Sequence, residues 1–418
     1  MELHENRQEP EKAVLVAVDT GEYDCDSSLA ELEELAMTAG AQVAGFVSQK
    51  RERPDGALFL GSGRLDELKE FCENNEIDVV IADSELSPVQ QRNMENALDL
   101  RVIDRTTLIL DIFAQRAVSN EGKLQVELAQ LKYNLPRLVG QGHKLSRLGG
   151  GIGTRGPGET KLESDKRHIR RRIKTLEDEL AELEKRRNLT RARREKDRVE
   201  TVVIVGYTNA GKSTLMNHLT EAGVLAQDKL FATLDPTSRA LTLPDGRRIM
   251  LIDTVGFIRR LPHNLVEAFK STLEEAVSAK LILNVCDASD PECAEHLKVT
   301  EELLDELGCA GKPVITVFNK CDLPIAYSLP LTADNPVRIS ALSGEGIDGL
   351  LEAVSKALPP SRARVKMLIP YSDGSAAAAL RRDGVIARED YREDGLFLDL
   401  TADVELVDRY RAYCVSGD

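Results

Sequence analysis

Along the first hundred residues, short apolar runs alternate with polar-faced stretches. Runs at 13–18, 42–47, 78–82 and 101–103 are separated by segments such as 28–39 and 64–74. Brief continuous apolar runs read as buried strands and the intervening segments as helices, which predicts a small parallel α/β unit over 1–105. Gly61-Ser-Gly63, ahead of the second of these helices, offers either an anion-binding turn or a plain structural one.

From Thr106 the period changes. Leu124, Leu128, Leu131, Leu135 and Leu138 recur at spacings of four and three, and Leu162, Ile169, Ile173, Leu176, Leu180 and Leu183 continue the stripe beyond a loop. Each set falls on one helical face, so 106–198 is expected to fold back as a long antiparallel helical hairpin. The connecting loop, 140–158, holds eight glycines. Its Gly151, Gly153 and Gly156 match GxGxxG, but no strand precedes them and a proline follows, which excludes a dinucleotide fingerprint.

This hairpin carries the chain's charge anomaly. Residues 140–174 contain ten Lys/Arg against three Asp/Glu, inside a chain of net charge −15. His143, Lys144, Arg147 and Arg155 lie on the loop, and Lys166, Arg167, Arg170, Arg171 and Arg172 on the helix after it. Charge runs are usually solvated faces. Here the excess peaks at a glycine-rich tip, where backbone can approach phosphates and Lys/Arg can displace counterions, and that points to RNA contact. No aromatic side chain interleaves, so stacking on single strands is not the expected mode.

A second strand–helix alternation begins near 199. The apolar run 201–205 leads into Gly206-Tyr207-Thr208-Asn209-Ala210-Gly211-Lys212-Ser213, followed by Thr214. Glycines allow the tight turn, successive N–H groups face phosphate oxygens, and the helix start adds its positive dipole end. Lys212 is expected to reach the outer phosphates and Ser213 to ligate Mg²⁺. Asp253-Thr-Val-Gly256-Phe257 follows a strand at 248–252. The Asp can hold Mg²⁺ through water, and the Gly256 N–H can sense the terminal phosphate. Between them, in 231–237, Thr233 is the favoured residue to close over the metal and phosphate, with Thr237 as the alternative.

Asn319-Lys320-Cys321-Asp322 follows a strand at 313–318 and supplies base reading. The Asp322 carboxylate accepts both the N1–H and the exocyclic amine of guanine, Asn319 ties its loop to the phosphate loop, and the Lys320 stem covers the base. Ser340-Ala341-Leu342 supplies a last loop whose N–H can meet the guanine oxygen. These motifs, in order and each at a strand end, predict a GTPase domain over 199–360. Lys212, Thr233 and Gly256 are the expected catalytic groups. Phe257 stands where Ras-type enzymes carry the glutamine that orients water, so slow intrinsic hydrolysis is expected. Asn209 resembles the asparagine of potassium-activated GTPases, which adds K⁺ to Mg²⁺ as a candidate cofactor.

The remaining tail, 361–418, has apolar runs at 366–369, 384–387 and 396–400 and a helical segment at 376–381, which predicts a small α+β domain. Seven cysteines form no CxxC pair and no Cys/His cluster, so neither a disulfide framework nor structural zinc is expected. There is no leader-like N-terminus and no run of 18 apolar residues, which predicts a cytoplasmic protein without membrane insertion.

Taken together, the glycine loop with Glu159-Thr160, the phosphate loop, Phe-Ala-Thr-Leu-Asp-Pro-Thr and Asp-Thr-Val-Gly-Phe resemble the HflX family of ribosome-associated GTPases, within the Obg–HflX superfamily. The match spans residue 13 to about 358, departing at Lys161, where glutamine is expected in many members. The resemblance implies an N-terminal α/β domain, a helical hairpin and a GTPase domain. It further implies binding to the large ribosomal subunit and its rRNA, with ribosome-stimulated hydrolysis of GTP to GDP, and the splitting or rescue of stalled ribosomes; the protein is expected to act as a monomer. Assembly of the large subunit, as for Obg-like proteins, and a protein-binding signalling switch with the hairpin as docking arm are the alternatives.

Overall fold

The computed structural model describes residues 10–138, 157–196, 199–220, 230–231, 236–260, 275–324, 336–360 and 362–415. The chain resolves into two compact units, one of 1–241 with 249–350 and one of 242–248 with 351–418.

In the first unit the apolar runs near the N-terminus form β1 (Lys12–Asp19), β2 (Gln42–Lys50), β3 (Val79–Ala82) and β4 (Arg101–Asp104). Their parallel sheet has the order β2-β1-β3-β4. The strands are joined by α1 (Cys25–Ala39), α2 (Ser62–Asn75) and α3 (Pro88–Leu98). Asp24 caps α1, its carboxylate accepting from the Asp26 and Ser27 N–H groups, and Ser87 with Gln90 forms a capping box on α3. β1 is continuously apolar because residues 13–18 lie between helix layers, almost wholly buried. The Gly61 N–H donates to Gln49 Oε1 at 2.8 Å, so that group is satisfied within the protein.

After α4 (Arg105–Arg116) come α5 (Asn120–Arg137) and α6 (Pro157–Lys196). The leucine stripes meet as expected: Leu124, Leu128 and Leu176 are buried together, with Leu131, Ile173, Leu180 and Leu183 packed on them. Arg172 bridges the helix pair with both Glu127 oxygens at 2.7 Å.

The six-stranded sheet has the order β10-β9-β8-β5-β7-β6. It comprises β5 (Thr201–Gly206), β6 (Thr237–Thr242), β7 (Arg248–Asp253), β8 (Leu281–Asp287), β9 (Val314–Asn319) and β10 (Val337–Arg338). Its helices include α7 (Lys212–Thr220) and α8 (Cys293–Glu306), and α9 (Ile347–Ala357) follows β10 along the chain. β7, β5, β8, β9 and β10 pair in parallel, which brings their carboxyl ends to one edge.

The second unit is α+β. β11 (Arg362–Ile369), β12 (Val385–Arg392) and β13 (Gly395–Asp403) form an antiparallel sheet with β13 central. Leu398 and Leu400 on β13 are buried with Leu380 of α10 (Gly374–Asp383). A short α11 (Val404–Arg409) follows.

Candidate nucleotide site and its seam with the N-terminal sheet

The turn between β5 and α7 is shaped by glycines that no other residue can replace. At Gly206 (φ +143°) an added Cβ would sit 2.1 Å from the Val285 carbonyl oxygen, and at Gly211 (φ +90°) 2.2 Å from Asn319 Nδ2. Asn209 is exposed between them in the left-handed region, φ +61°, which Asn tolerates better than most side chains.

Lys212 opens α7 and is buried. Its Nζ donates to the Tyr207 carbonyl oxygen at 2.6 Å. Burial pulls its pKa down to about 8, opposed by the charge of Asp253. Ser213 Oγ donates to Asp253 Oδ2 at 2.9 Å, so two hard oxygen donors stand side by side, a donor chemistry that suits Mg²⁺. Thr208 and Thr237 each bury a hydroxyl oxygen without a partner among the described residues.

Gly256 lies directly over this loop: a Cβ there would come 2.7 Å from Thr208 Cγ2 and 2.9 Å from Lys212 Nζ. Phe257 is fully buried and bridges the loop by its backbone. The Thr208 N–H donates to its carbonyl oxygen at 2.8 Å, and its own N–H donates to the Gly206 oxygen at 3.1 Å.

Asn319, the last residue of β9, laces three loops. Its Nδ2 donates to the Ala210 oxygen at 2.9 Å and its Oδ1 accepts the Ala341 N–H at 2.9 Å. Lys320 adopts φ +60° and pairs with Asp287 at 2.7 Å. Asp322 is exposed, Ser340 is buried with its Oγ accepting the Ser343 N–H, and Leu342 is 80% exposed. The structure thus brings 206–214, Asp253, Gly256, Asn319 and Ala341 to one sheet edge. Thr233, His143, Lys144, Arg147 and Arg155 lie outside the described residues. On α6, Lys166 is half-buried, Arg167, Arg170 and Arg171 are exposed, and Arg170 lies 3.7 Å from Glu163.

One set of residues has no sequence motif. Asp83 follows β3 at the carboxyl edge, where the strand order reverses between β1 and β3, the position at which doubly wound sheets take their ligands. That position receives an arginine from the segment after Phe257. Arg260 Nη2 donates to Asp83 Oδ2 at 2.6 Å, to the Asp83 carbonyl oxygen at 2.9 Å and to Ser28 Oγ. Its guanidinium lies 4.1 Å from the centre of the Tyr23 ring. Arg260 holds φ +49°, a conformation that a side chain keeps only when its surroundings fix it.

Arg105, almost fully buried, donates to Asp83 Oδ1 at 2.9 Å, to Glu31 and to the Arg259 carbonyl oxygen at 3.3 Å. Glu31 also accepts from the Tyr207 hydroxyl, which in turn accepts the Arg259 N–H at 2.8 Å. Burial and the neighbouring Glu31 push the Tyr207 phenol well above its ordinary range, so it stays a donor. The Tyr207 ring stacks on His296 with centroids 3.7 Å apart. The signal available in sequence was faint: acidic residues just past predicted strands, and an Arg pair just past Asp-Thr-Val-Gly-Phe.

A phosphate loop at a strand-to-helix turn, with a Ser–Asp pair beside it and an Asn-Lys-Cys-Asp loop laced to it on the same edge, defines a P-loop GTPase. Family models agree along the chain: a GTP-binding GTPase N-terminal region at 26–114, a GTP-binding GTPase middle region at 116–194, and a 50S ribosome-binding GTPase at 201–320. A curated GTPase HflX from Caldanaerobacter subterraneus subsp. tengcongensis is 51% identical over 99% of this chain and 96% of its own length. That of Escherichia coli is 43% identical over 92% of both chains. A crystal structure of a GTP-binding protein from Sulfolobus solfataricus in complex with GDP covers 83% of this chain and 98% of its own, at 27% identity and TM-score 0.44. The chain belongs to the HflX family of GTPases and is a GTP hydrolase.

Proposed function

We propose that the chain binds the large ribosomal subunit, that the subunit stimulates hydrolysis of GTP to GDP, and that the cycle splits or rescues stalled ribosomes in the cytoplasm, with the protein acting as a monomer. The observation that carries this reading is the exposed Arg167, Arg170 and Arg171 surface, with Lys166 beside it, on a long two-helix arm. The similarity of 201–320 to a 50S ribosome-binding GTPase model supports the partner.

Residues 206–214 wrap the phosphates, with Lys212 placing its ammonium against the outer ones. Bound Mg²⁺ would be held by Ser213, by Asp253 through water and by Thr233 or Thr237, and it supplies charge neutralisation of the phosphates. The Gly256 N–H senses the terminal phosphate, so loss of that phosphate frees the 256–260 segment. Asn319, Lys320, Asp322 and the 340–342 loop read guanine. Phe257 has no group to orient water, so the partner is required to position the nucleophile, with K⁺ at Asn209 as a second source of positive charge.

The test is co-sedimentation with purified 50S subunits across a salt series, with a non-hydrolysable GTP analogue bound. Affinity should fall steeply with salt. The combined variant Lys166→Glu, Arg167→Glu, Arg170→Glu, Arg171→Glu should weaken binding and reduce the log–log slope by up to about 3. Binding that ignores salt would instead favour the protein-switch alternative.

A further inference from the structure

The nucleotide motifs make no use of two thiols that meet behind them. Cys286 is the penultimate residue of β8, and Cys293 is the first residue of α8. Both are buried, and their sulfurs are 2.9 Å apart. Cys286 Sγ also lies 3.3 Å from the Cys293 carbonyl oxygen. The turn between them is fixed: Asp287 accepts from the Ser289 N–H, Asp290 accepts from the Glu292 N–H, and the Cys293 N–H donates to the Asp290 oxygen. A disulfide needs sulfurs about 2.05 Å apart, so closure asks for less than about 1 Å of movement in a turn already folded for it.

The two sulfurs are not equivalent. The contact between the sulfurs, together with burial, raises the Cys286 thiol, while the same contact lowers that of Cys293 against burial and the nearby Asp290 and Asp287 carboxylates. Cys293 also stands at a helix N-terminus, where the dipole favours a thiolate. All seven cysteines are free in this structure.

We propose that Cys286 and Cys293 form a redox modification site that closes to an intramolecular disulfide when a small peroxide reaches it. The Cys293 thiolate attacks one oxygen of hydrogen peroxide. The S–O bond forms as the O–O bond breaks, and the leaving hydroxide takes a proton to become water. The Cys286 sulfur then attacks the sulfenic sulfur: the S–S bond forms, the S–O bond breaks, and hydroxide leaves with the Cys286 proton as a second water. The dithiol loses two electrons and two protons while the peroxide is reduced to two waters, and an external dithiol reverses the reaction.

Closure reaches the guanine loop. Asp287, adjacent to Cys286, holds Lys320, and the Ala288 N–H donates to the Asn319 oxygen at 2.9 Å. Cys321 packs on the same cluster, and His296, one turn after Cys293, stacks on Tyr207 of the phosphate loop. Drawing β8 and α8 together therefore shifts residues that hold the base and phosphate loops, which weakens guanine-nucleotide binding. This consequence rests on the nucleotide reading of 319–322; the disulfide itself does not.

The experiment uses the full chain, reduced and freed of reductant, then titrated with hydrogen peroxide. Tryptic peptide 281–298 carries both cysteines. It should lose two hydrogens, become unreactive to thiol alkylation and recover with dithiothreitol, while Cys293→Ser prevents the change. Affinity for a fluorescent GDP analogue should fall about fivefold or more on oxidation of the unmodified protein and recover on reduction. Two alkylatable thiols persisting in 281–298 while exposed Cys414 is oxidised would overturn the site. Complete closure with unchanged GDP affinity would overturn its effect on the nucleotide. Failure of the reduced protein to bind the analogue would count against the nucleotide reading and leave the thiol mapping standing.

Discussion

The nucleotide site and the seam beside it share Tyr207, yet they are assembled by opposite rules. The nucleotide site comes in contiguous blocks, 206–214, 253–257, 319–322 and 340–342, because a phosphate or a base is met by successive backbone groups on a turn of defined shape. The seam is built from single side chains on separate elements: Ser28 and Glu31 from α1, Asp83 after β3, Arg105 from α4, and Arg259 and Arg260 after Phe257. Arginine–carboxylate pairs need only a fork and two oxygens, whatever element carries them. A ligand imposes a spacing on the sequence, whereas an internal ion network leaves none.

The difference predicts which changes strike folding and which strike chemistry. The largest stability loss should follow Arg105→Ala, whose side chain is 3% exposed. It takes away the buried partner that Asp83 and Glu31 share; Asp83 keeps Arg260 and Glu31 keeps the Tyr207 hydroxyl, so the cost is about 3 kcal/mol, read as a lowered denaturation midpoint. Lys212→Ala should leave the fold and lower GTP turnover by about 10²–10³, the cost of removing one preorganised charge from a transition state. A stability loss as large as that of Arg105→Ala would erase the contrast.

Arg260→Ala should cost less, about 1 kcal/mol, because Asp83 keeps Arg105. Its readout is local: the Arg259 amide, which donates to the Tyr207 hydroxyl, should exchange faster with solvent. Unchanged exchange would mean that the seam does not hold the 256–260 segment.

The smallest effect concerns pH. Lys212 titrates near 8 in the free protein because it is buried, and bound phosphates favour its charged form. GTP affinity should therefore be flat below pH 8 and decline above it, with proton uptake on binding between pH 8 and 9. Calorimetry in buffers of different ionisation heat checks this, and Lys212→Arg, always charged, should remove the uptake.

Strand and hairpin patterns were legible because burial imposes them directly. β1 and β5 are apolar throughout since both faces are covered, and the Leu124–Leu128–Leu176 contact follows from its period. The alternation implied a helix between β3 and β4 without delimiting α3, and α4 lay almost wholly inside the stretch expected to form the hairpin. Ser87-Pro88 is a start signal for α3 that apolar periodicity alone overlooks, and α4 begins immediately at the end of β4 with no intervening turn residues. The lacing of the base loop to the phosphate loop by Asn319 was anticipated, since its motif sits at a strand end. Arg260 in the crevice of the N-terminal sheet was not, because nothing local in sequence relates residue 260 to residue 83.

The measurement that bears most directly on the account is GTP turnover with and without purified 50S subunits, beside the Lys166, Arg167, Arg170 and Arg171 charge-reversal variant. Slow hydrolysis alone, strong stimulation by the subunit and a reduced stimulation ratio in the variant are the predicted result. Turnover that is the same with and without 50S subunits at low salt would contradict it.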